Sequence, residues 1–408
     1  MKRRILHISK RYPPHVGGVE RHVQDLARAQ VVKAECEVDV LCVSEESART
    51  GLGTRVLWER DRGVVVARVP QMALVASNPV SAHLRRVLLD SLRNHRHDIW
   101  HFHYPFPTGE AGFLQVGREL HEAGRRGEVP GVVCSYHADF VGEAGLKRVL
   151  SVPYVRLTRR FLGAVDRIVA ASPQVARFSR FLPEYKEKVR VVTYGIDATL
   201  LAADERRLQE AAALRAQLGS PLVLFVGRLV PYKGIDVLLR ACALMRERGE
   251  SHGGGSFRLV IVGEGPLLHR LQSLTVDLRL SSCVHFVGAV ADAGLATYYQ
   301  AADVLVLPSV TPNEAFGLVQ LEAHACGVPV VSTNLPSGVP YANADGISGF
   351  TVPPGDPNAL ASALERLLGD EELRARLGCQ AQARFRRDFS LESMTAGIRA
   401  VYEELLSP

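Results

Sequence analysis

Short runs of β-branched and aliphatic residues alternate along the chain with longer segments whose apolar positions recur every three or four residues. An apolar run of four to eight residues suits a strand buried on both faces, and the longer spacing suits a helix laid on such a sheet. The first half on this reading carries strands near 3–8, 37–43, 55–58, 63–69, 98–103, 131–136, 166–171 and 188–193. Helices fall near 19–30, 80–94, 110–122, 147–163 and 173–182. The second half repeats the scheme, with strands near 221–226, 257–262, 283–287, 303–307, 328–332 and 349–352. Its helices lie near 233–248, 265–277, 292–301, 317–326, 357–368 and 370–384. A last helix over 390–406 follows Phe389, with Ser390 as its N-cap. Strands alternating with helices imply parallel sheets covered on both faces, an α/β fold.

A chain of 408 residues exceeds what one core usually serves, so two domains are expected. The boundary falls at Tyr194, Gly195, Ile196 and Asp197, where the apolar run from Val189 to Thr193 ends. Domains of 1–196 and 197–387 result, leaving 388–408 as a C-terminal segment. Doubly wound domains bind ligands at the carboxyl ends of their strands, so a cleft shared by the two is expected. The glycine run Gly253–Gly255 reads as a flexible loop without a phosphate role, because no helix start follows it.

Hydrophobic residues make up 47% of the chain and charged residues 23%, the balance of a soluble globular protein. The apolar stretch after Lys2, Arg3 and Arg4 is too short for a secretory signal and reads as a first strand. Seven cysteines contain no C-x-x-C spacing and sit mostly in apolar runs, as reduced residues of a cytoplasmic protein would. The net charge of +6 divides unevenly: 31 Lys and Arg face 20 Asp and Glu in residues 1–196, against 18 and 23 in 197–408. The densest basic cluster is Lys147, Arg148, Arg156, Arg159, Arg160 and Arg167 among apolar neighbours. It reads either as peripheral contact with the inner face of a membrane or as a solvated helix face. Nucleic acid is disfavoured, since no aromatic residues interleave the charges.

The segment 313–331 carries the most chemistry. Glu314 and Glu322 stand on either side of a predicted helix start at Phe316, Gly317 and Leu318. The first amides of a helix have no intrahelical partners and attract phosphate, and Gly317 lets a ligand approach the backbone. Glu322, on the second turn, leans back toward that start and suits hydroxyl recognition, such as a ribose diol. Gly227, Arg228, Lys233 and Gly234 follow the first strand of the second half, where two cations can neutralise a diphosphate. Gly17 and Gly18 open the first helix and could admit a phosphate or sugar. Gly263, in a glycine turn after a central strand, and Val287, in the next, would wall a nucleotide.

His101 and His103 alternate on one strand face, and His137 ends another strand. Three histidines could bind zinc, but H-x-H with a distant third is weak. Contact of His137 with substrate is preferred, with His101 and His103 as satisfied core residues. No Asp-x-Asp occurs, so a metal-chelating carboxylate pair is not evident and no metal or cofactor is expected. Neither G-x-G-x-x-G nor G-x-x-x-x-G-K-[ST] occurs, against a dinucleotide dehydrogenase and a P-loop NTPase.

Together, Glu314 with Glu322, Gly227-Arg228 with Lys233-Gly234, and the Gly17-Gly18 loop resemble retaining glycosyltransferase family 4 over essentially the whole chain. The segments 12–20, 103–107 and 136–139 are most similar to bacterial rhamnosyl- and mannosyltransferases of surface polysaccharides. The resemblance implies the GT-B fold, two Rossmann-like doubly wound domains facing across a cleft, with the last helix returning to the first domain. It implies that Arg228 and Lys233 hold the donor diphosphate and Glu322 the ribose hydroxyls. It implies further that Glu314 orients the donor sugar, amides of Phe316, Gly317 and Leu318 touch sugar and phosphate, and His137 lies near the reacting sugar. No carboxylate nucleophile is obvious, Asp139 being nearest, which favours front-face transfer. The expected reaction moves a hexose from a nucleotide diphosphate sugar, GDP-mannose first, to an acceptor hydroxyl on a lipid-linked or polysaccharide intermediate. A UDP- or dTDP-sugar with a small-molecule acceptor is the alternative, and a silent sugar-binding protein or an epimerase the rival of another class.

Overall fold

The computed structural model describes residues 2–15, 17–32, 36–44, 55–75, 78–125, 129–139, 146–252 and 257–406, with the backbone alone at 146–151, 200, 250–252 and 292–293. The chain divides into one compact unit of Met1–Gly195 with Leu391–Pro408, and a second of Ile196–Ser390.

The first unit contains β1 (Arg3–Ile8), β2 (Cys36–Ser44), β3 (Leu57–Asp61), β4 (Val64–Pro70), β5 (Ala73–Val75), β6 (Asn78–Val80), β7 (Ile99–Tyr104), β8 (Gly131–Tyr136), β9 (Arg167–Ala170) and β10 (Val189–Val191). Eight of these form one sheet in the order β10-β9-β8-β7-β1-β2-β4-β3. Only β3 runs antiparallel to its neighbour, as an edge strand whose residues are mostly exposed. Its central strands are buried on both faces because helices cover both, and the face of Ile5 and Ile99 also carries the buried histidines His7, His101 and His103. On one face Leu6, Leu41, Trp100, Phe102 and Cys134 pack with Phe113 and Phe161. On the other, Ile5, Ile99, Val133 and Val169 meet Met394, Ile398, Val401 and Tyr402 of the C-terminal helix Leu391–Leu406.

The second unit holds β11 (Leu222–Val226), β12 (Arg258–Val262), β13 (Val284–Gly288), β14 (Val304–Leu307), β15 (Val330–Thr333) and β16 (Gly349–Val352). They form a parallel sheet ordered β13-β12-β11-β14-β15-β16. The order reverses between β11 and β14, and such a switch point opens a crevice at the strands' carboxyl ends.

The sequence pattern departs from the structure in a few places. The helix expected over 110–122 is two helices, Pro107–Gln115 and Gly117–Gly124, because buried Val116 bonds back to Phe113 in a tighter turn. The helix expected to reach 182 stops at Phe178, and Pro183 opens a 3-10 segment, Leu182–Lys188. The hairpin β5–β6 went unread because three-residue strands with exposed Leu74 and Val75 show no burial alternation. The glycines at 253–255 lie outside the described residues, and the helix before them continues from Ile235 to His252.

Candidate functional site

Both sides of the β11/β14 switch point carry ionisable groups. After β11 the backbone turns at Gly227 and passes exposed Arg228 into a 3-10 turn, Pro231–Lys233, with proline at its first position. Gly234 then adopts a left-handed φ of 64°, and a Cβ there would lie 2.2 Å from the carbonyl oxygen of Pro308. Only glycine permits that approach. The loops after β11 and β14 are therefore pressed together, and the amide of Val310 donates to the carbonyl of Tyr232 at 2.8 Å.

That contact brings Lys233 to Glu314. Nζ lies 2.6 Å from Oε2, with each side chain about 10% exposed. The same carboxylate oxygen accepts from Ser309 Oγ at 2.9 Å. Ser309 is fully buried, and its carbonyl accepts from Thr333 Oγ1 at 2.6 Å. The Tyr232 ring, 5.7 Å from Nζ, lines the ammonium. A buried pair with this many partners holds its geometry, since removing either charge would strand the other.

The segment then enters the helix Leu318–Ala325 through Gly317, the N-cap, at φ 74°. A Cβ on Gly317 would lie 2.4 Å from Leu307 Cδ2, so the residue must be small as well as left-handed. Among the described residues, no side chain caps this helix start. Phe316 is buried and packs edge-on to Phe389, Leu318 is half-buried, and Gln320 Nε2 donates to the carbonyl of Phe316 at 2.8 Å. Glu322 is buried and accepts from Tyr299 OH at 2.5 Å. Neither Glu314 nor Glu322 faces bulk solvent. Gly263 lies against the backbone of Gly227, its amide donating to the carbonyl of Gly288, and Val287 is partly exposed at the end of β13.

In the first unit, β1 and β7 flank the corresponding reversal of strand order. Gly17 precedes the helix Gly18–Val32, and the Glu20 carboxylate curls over it, 2.1 Å from where a Cβ would sit. The helix start that was expected to admit a phosphate thus carries its own anion, a favourable partner for the dipole. His137 is buried, with Nδ1 2.5 Å from Tyr194 OH and Nε2 3.1 Å from His103 Nδ1. Both of its nitrogens are engaged inside the unit, and burial drives its pKa down to about 3. His101 bonds to Tyr402 OH at 2.6 Å and Ser135 Oγ at 2.7 Å, and His103 bonds to His7 Nδ1 at 3.0 Å. Two groups, His7 with His101 and His103, and His22 with His103 and His137, each place three ring nitrogens within 4.8 Å of one another. Asp139 is held by Tyr136 OH and by the Arg180 amide, 3.0 Å from Oδ2.

Four residues of the basic cluster pair with acids or stand exposed. Arg159 meets Glu184 at 2.7 Å, Arg167 meets Glu404 at 2.9 Å, and Arg156 and Arg160 are exposed. The side chains of Lys147 and Arg148 lie outside the described residues. Among the described residues, no helix is long and apolar enough to cross a membrane. Sequence reasoning missed Ser309, Tyr299, Gln320 and Tyr232. Ser309 left a signal, a hydroxyl just past an apolar strand; Gln320 and Tyr232 act on near neighbours in the chain, and Tyr299 became a partner through the packing of a separate helix.

The chain is similar to known proteins along its length. A family profile described as "Glycosyl transferases group 1" matches residues 207–384, and one described as "Glycosyltransferase Family 4" matches 16–200. The chain is 31% identical over 404 residues to the O-antigen chain mannosyltransferase C of Escherichia coli, covering 99% of each protein. It is 35% identical over 293 residues to the D-rhamnosyltransferase WbpZ of Pseudomonas aeruginosa, covering 72% of this chain and 70% of that one. The solved structure of a sucrose-phosphate synthase from Thermosynechococcus elongatus superposes with a TM-score of 0.75 over the full length of both chains at 23% identity, a shared GT-B fold. The chain is a glycosyltransferase of the GT-B fold and belongs to glycosyltransferase family 4.

Proposed function

We propose that this enzyme transfers a hexose, mannose from GDP-mannose in the first instance, to a hydroxyl of a lipid-linked or polysaccharide intermediate with retention at the anomeric carbon. The observation that carries the reading is the buried Lys233–Glu314 pair beside an uncapped helix start at the β11/β14 switch point. Arg228 and Lys233 supply positive charge to the donor diphosphate, and the amides at Gly317 and Leu318 add dipoles of the same sense. Glu314 orients the sugar through the oxygen not committed to Ser309 and Lys233. Glu322, set by Tyr299, receives ribose hydroxyls. Gly263 and Val287 wall the base.

In front-face transfer the acceptor oxygen bonds to C1 as the bond from C1 to the phosphate oxygen breaks, and the acceptor proton passes to the departing phosphate. The cations at Arg228 and Lys233 stabilise the charge that grows on that oxygen, an effect of a few kcal/mol per donor. No metal is assigned a role, because the donor set around the pair contains one carboxylate already neutralised by Lys233. The likeness to an O-antigen chain mannosyltransferase along the whole chain supports the choice of sugar and acceptor. Exposed Arg156 and Arg160 support contact of the first unit with an anionic leaflet.

Thermal-shift screening against GDP-, UDP- and dTDP-sugars identifies the donor, since a bound ligand raises the transition by mass action. Product analysis by NMR then reads the anomeric configuration. Glu322→Ala is expected to weaken donor binding, and Lys233→Ala to slow turnover more than it weakens binding. Unchanged kinetics in both variants, or an inverted product, would refute the assignment.

A further inference from the structure

His22 is buried on the helix Gly18–Val32, and neither of its ring nitrogens has a hydrogen-bond partner among the described residues. The helix turns His22, Leu26 and Gln30 onto one buried face, which aims the imidazole at the sheet. There it stands edge-on to His137 at a ring distance of 5.1 Å, to His103 at 5.7 Å and to Tyr194 at 4.8 Å. Register brings the two histidines together: His103 on β7 is paired with Ser135 on β8, and His137 stands two residues beyond Ser135 on the same face. One nitrogen each of His22, His103 and His137 lies within 4.8 Å of the other two. An imidazole buried with both nitrogens idle has lost its hydration without replacement, and such a group calls for a ligand.

We propose that His22, His103 and His137 bind one zinc ion, which cross-links the helix Gly18–Val32, β7 and the segment after β8 as a structural element of the first unit. His101, two residues from His103, is not in the set, because Tyr402 OH at 2.6 Å and Ser135 Oγ at 2.7 Å engage its nitrogens. Two imidazole nitrogens on one tetrahedral zinc stand about 3.3 Å apart. His103 Nδ1 and His137 Nε2 are 3.1 Å apart, so one edge of the tetrahedron is in place. The nitrogen of His22 has to close by no more than about 1.5 Å, which rotation of its ring covers. A cavity of about 10 Å³ borders His22, His137, Ser135, Thr193 and Tyr194, the room one water needs as fourth ligand. Three neutral imidazoles and a water suit zinc, whereas calcium and magnesium take oxygen ligands and copper(II) or nickel(II) spreads its ligands in a plane.

The far sides of two of these rings are arranged as a zinc site requires, since a ligating histidine holds its other nitrogen in a hydrogen bond that fixes the ring. His137 Nδ1 lies 2.5 Å from Tyr194 OH. His103 Nε2 lies 3.0 Å from His7 Nδ1, and His7 Nε2 lies 2.8 Å from Gln30 Oε1. With zinc bound, His137 Nδ1 donates to the Tyr194 oxygen, His103 Nε2 to His7 and His7 Nε2 to Gln30, which leaves His103 Nδ1 and His137 Nε2 as free lone pairs for the ion. Without an ion, a proton between those two nitrogens holds the pair and His22 stays unbonded. Every ligand belongs to the first unit, so the assignment does not depend on how the donor is bound in the second. His22→Phe separates the two states. It keeps the edge-on packing and removes both idle nitrogens, so the metal-free variant should be at least as stable as the metal-free wild type, while only the wild type gains from zinc.

The test uses untagged full-length protein, expressed with added zinc and purified without chelator. Metal analysis is expected to find about one zinc per chain in the wild type and less than about a tenth of that in His22→Phe. After dialysis against a chelator, zinc chloride should raise the urea midpoint of the wild type and leave that of His22→Phe where it was. Cobalt(II) added to the metal-free proteins should give the visible absorption of a tetrahedral site in the wild type alone. Zinc under about a tenth of an ion per chain with no zinc-dependent shift, a different ion filling the site, or equal zinc binding by His22→Phe would each overturn the proposal. If His22→Phe does not fold, the zinc content and midpoint of the wild type decide alone. None of these readouts uses glycosyl transfer, so failure of the proposed reaction leaves the test intact.

Discussion

Lowering the pH from 7.5 to 5.5 is expected to remove much of the stability of the first unit without touching any surface ion pair. His7, His22, His101, His103 and His137 are buried and neutral, with pKa values held below the ordinary 6.5 chiefly by desolvation. In the unfolded chain each takes up a proton near pH 6.5, so the unfolded state binds more protons wherever the folded rings stay neutral. Stability is therefore complete above pH 6.5 and declines as the pH falls toward the folded values, about 4 for His7 and about 3 for His137. Each ring that stays neutral down to pH 5.5 loses roughly 1–2 kcal/mol across this window, and buried Glu110, its carboxyl raised to about 7 by desolvation, returns a comparable amount as it takes up a proton in the folded state, which leaves a net loss of several kcal/mol. A domain is stable by only about 5–15 kcal/mol, so a net loss of this size is a large part of the total. Urea titration at pH 7.5, 6.5 and 5.5 reads the change. Fluorescence is a suitable signal because both tryptophans, Trp58 and buried Trp100, lie in the first unit. The midpoint should fall steeply below pH 6.5 at nearly constant m. A loss under about 1.5 kcal/mol over the window, the amount one ring would give, would refute the claim that the rings act together as neutral groups.

Other consequences follow in the second unit. Lys233→Met and Glu314→Gln should each destabilise by about 3–5 kcal/mol, while the double variant loses less than the sum, as urea melts of the full cycle would show. Additive losses would mean that the 2.6 Å pair is not coupled. Tyr299→Phe removes the donor to buried Glu322 and should cost about 1–3 kcal/mol, with weaker nucleoside diphosphate binding by calorimetry. Gly317→Ala places a Cβ against Leu307 at a left-handed φ and should lower stability by about 1–3 kcal/mol and reduce donor affinity. An unchanged melting temperature would show that the turn relaxes freely.

The periodicity of apolar residues by itself determined the α/β class and placed nearly every strand within two residues, because fully buried parallel strands must be apolar throughout. Local sequence also marked Arg228 and Lys233 as cations just past an apolar strand, and Glu314 and Glu322 as carboxylates on either side of a helix start. Their pairing was beyond it. Lys233 and Glu314 are 81 residues apart and meet only because β14 is laid beside β11, with the loops locked by Gly234 against Pro308. Likewise, His101 and His103 show a shared strand face in the sequence, but their partners His7, Ser135, His137 and Tyr402 come from the two neighbouring strands, the end of one of them and the C-terminal helix. A hydrogen bond needs its partners within about 3 Å and correctly aimed. Local sequence sets which groups can donate or accept, and the strand order alone sets which of them come that close.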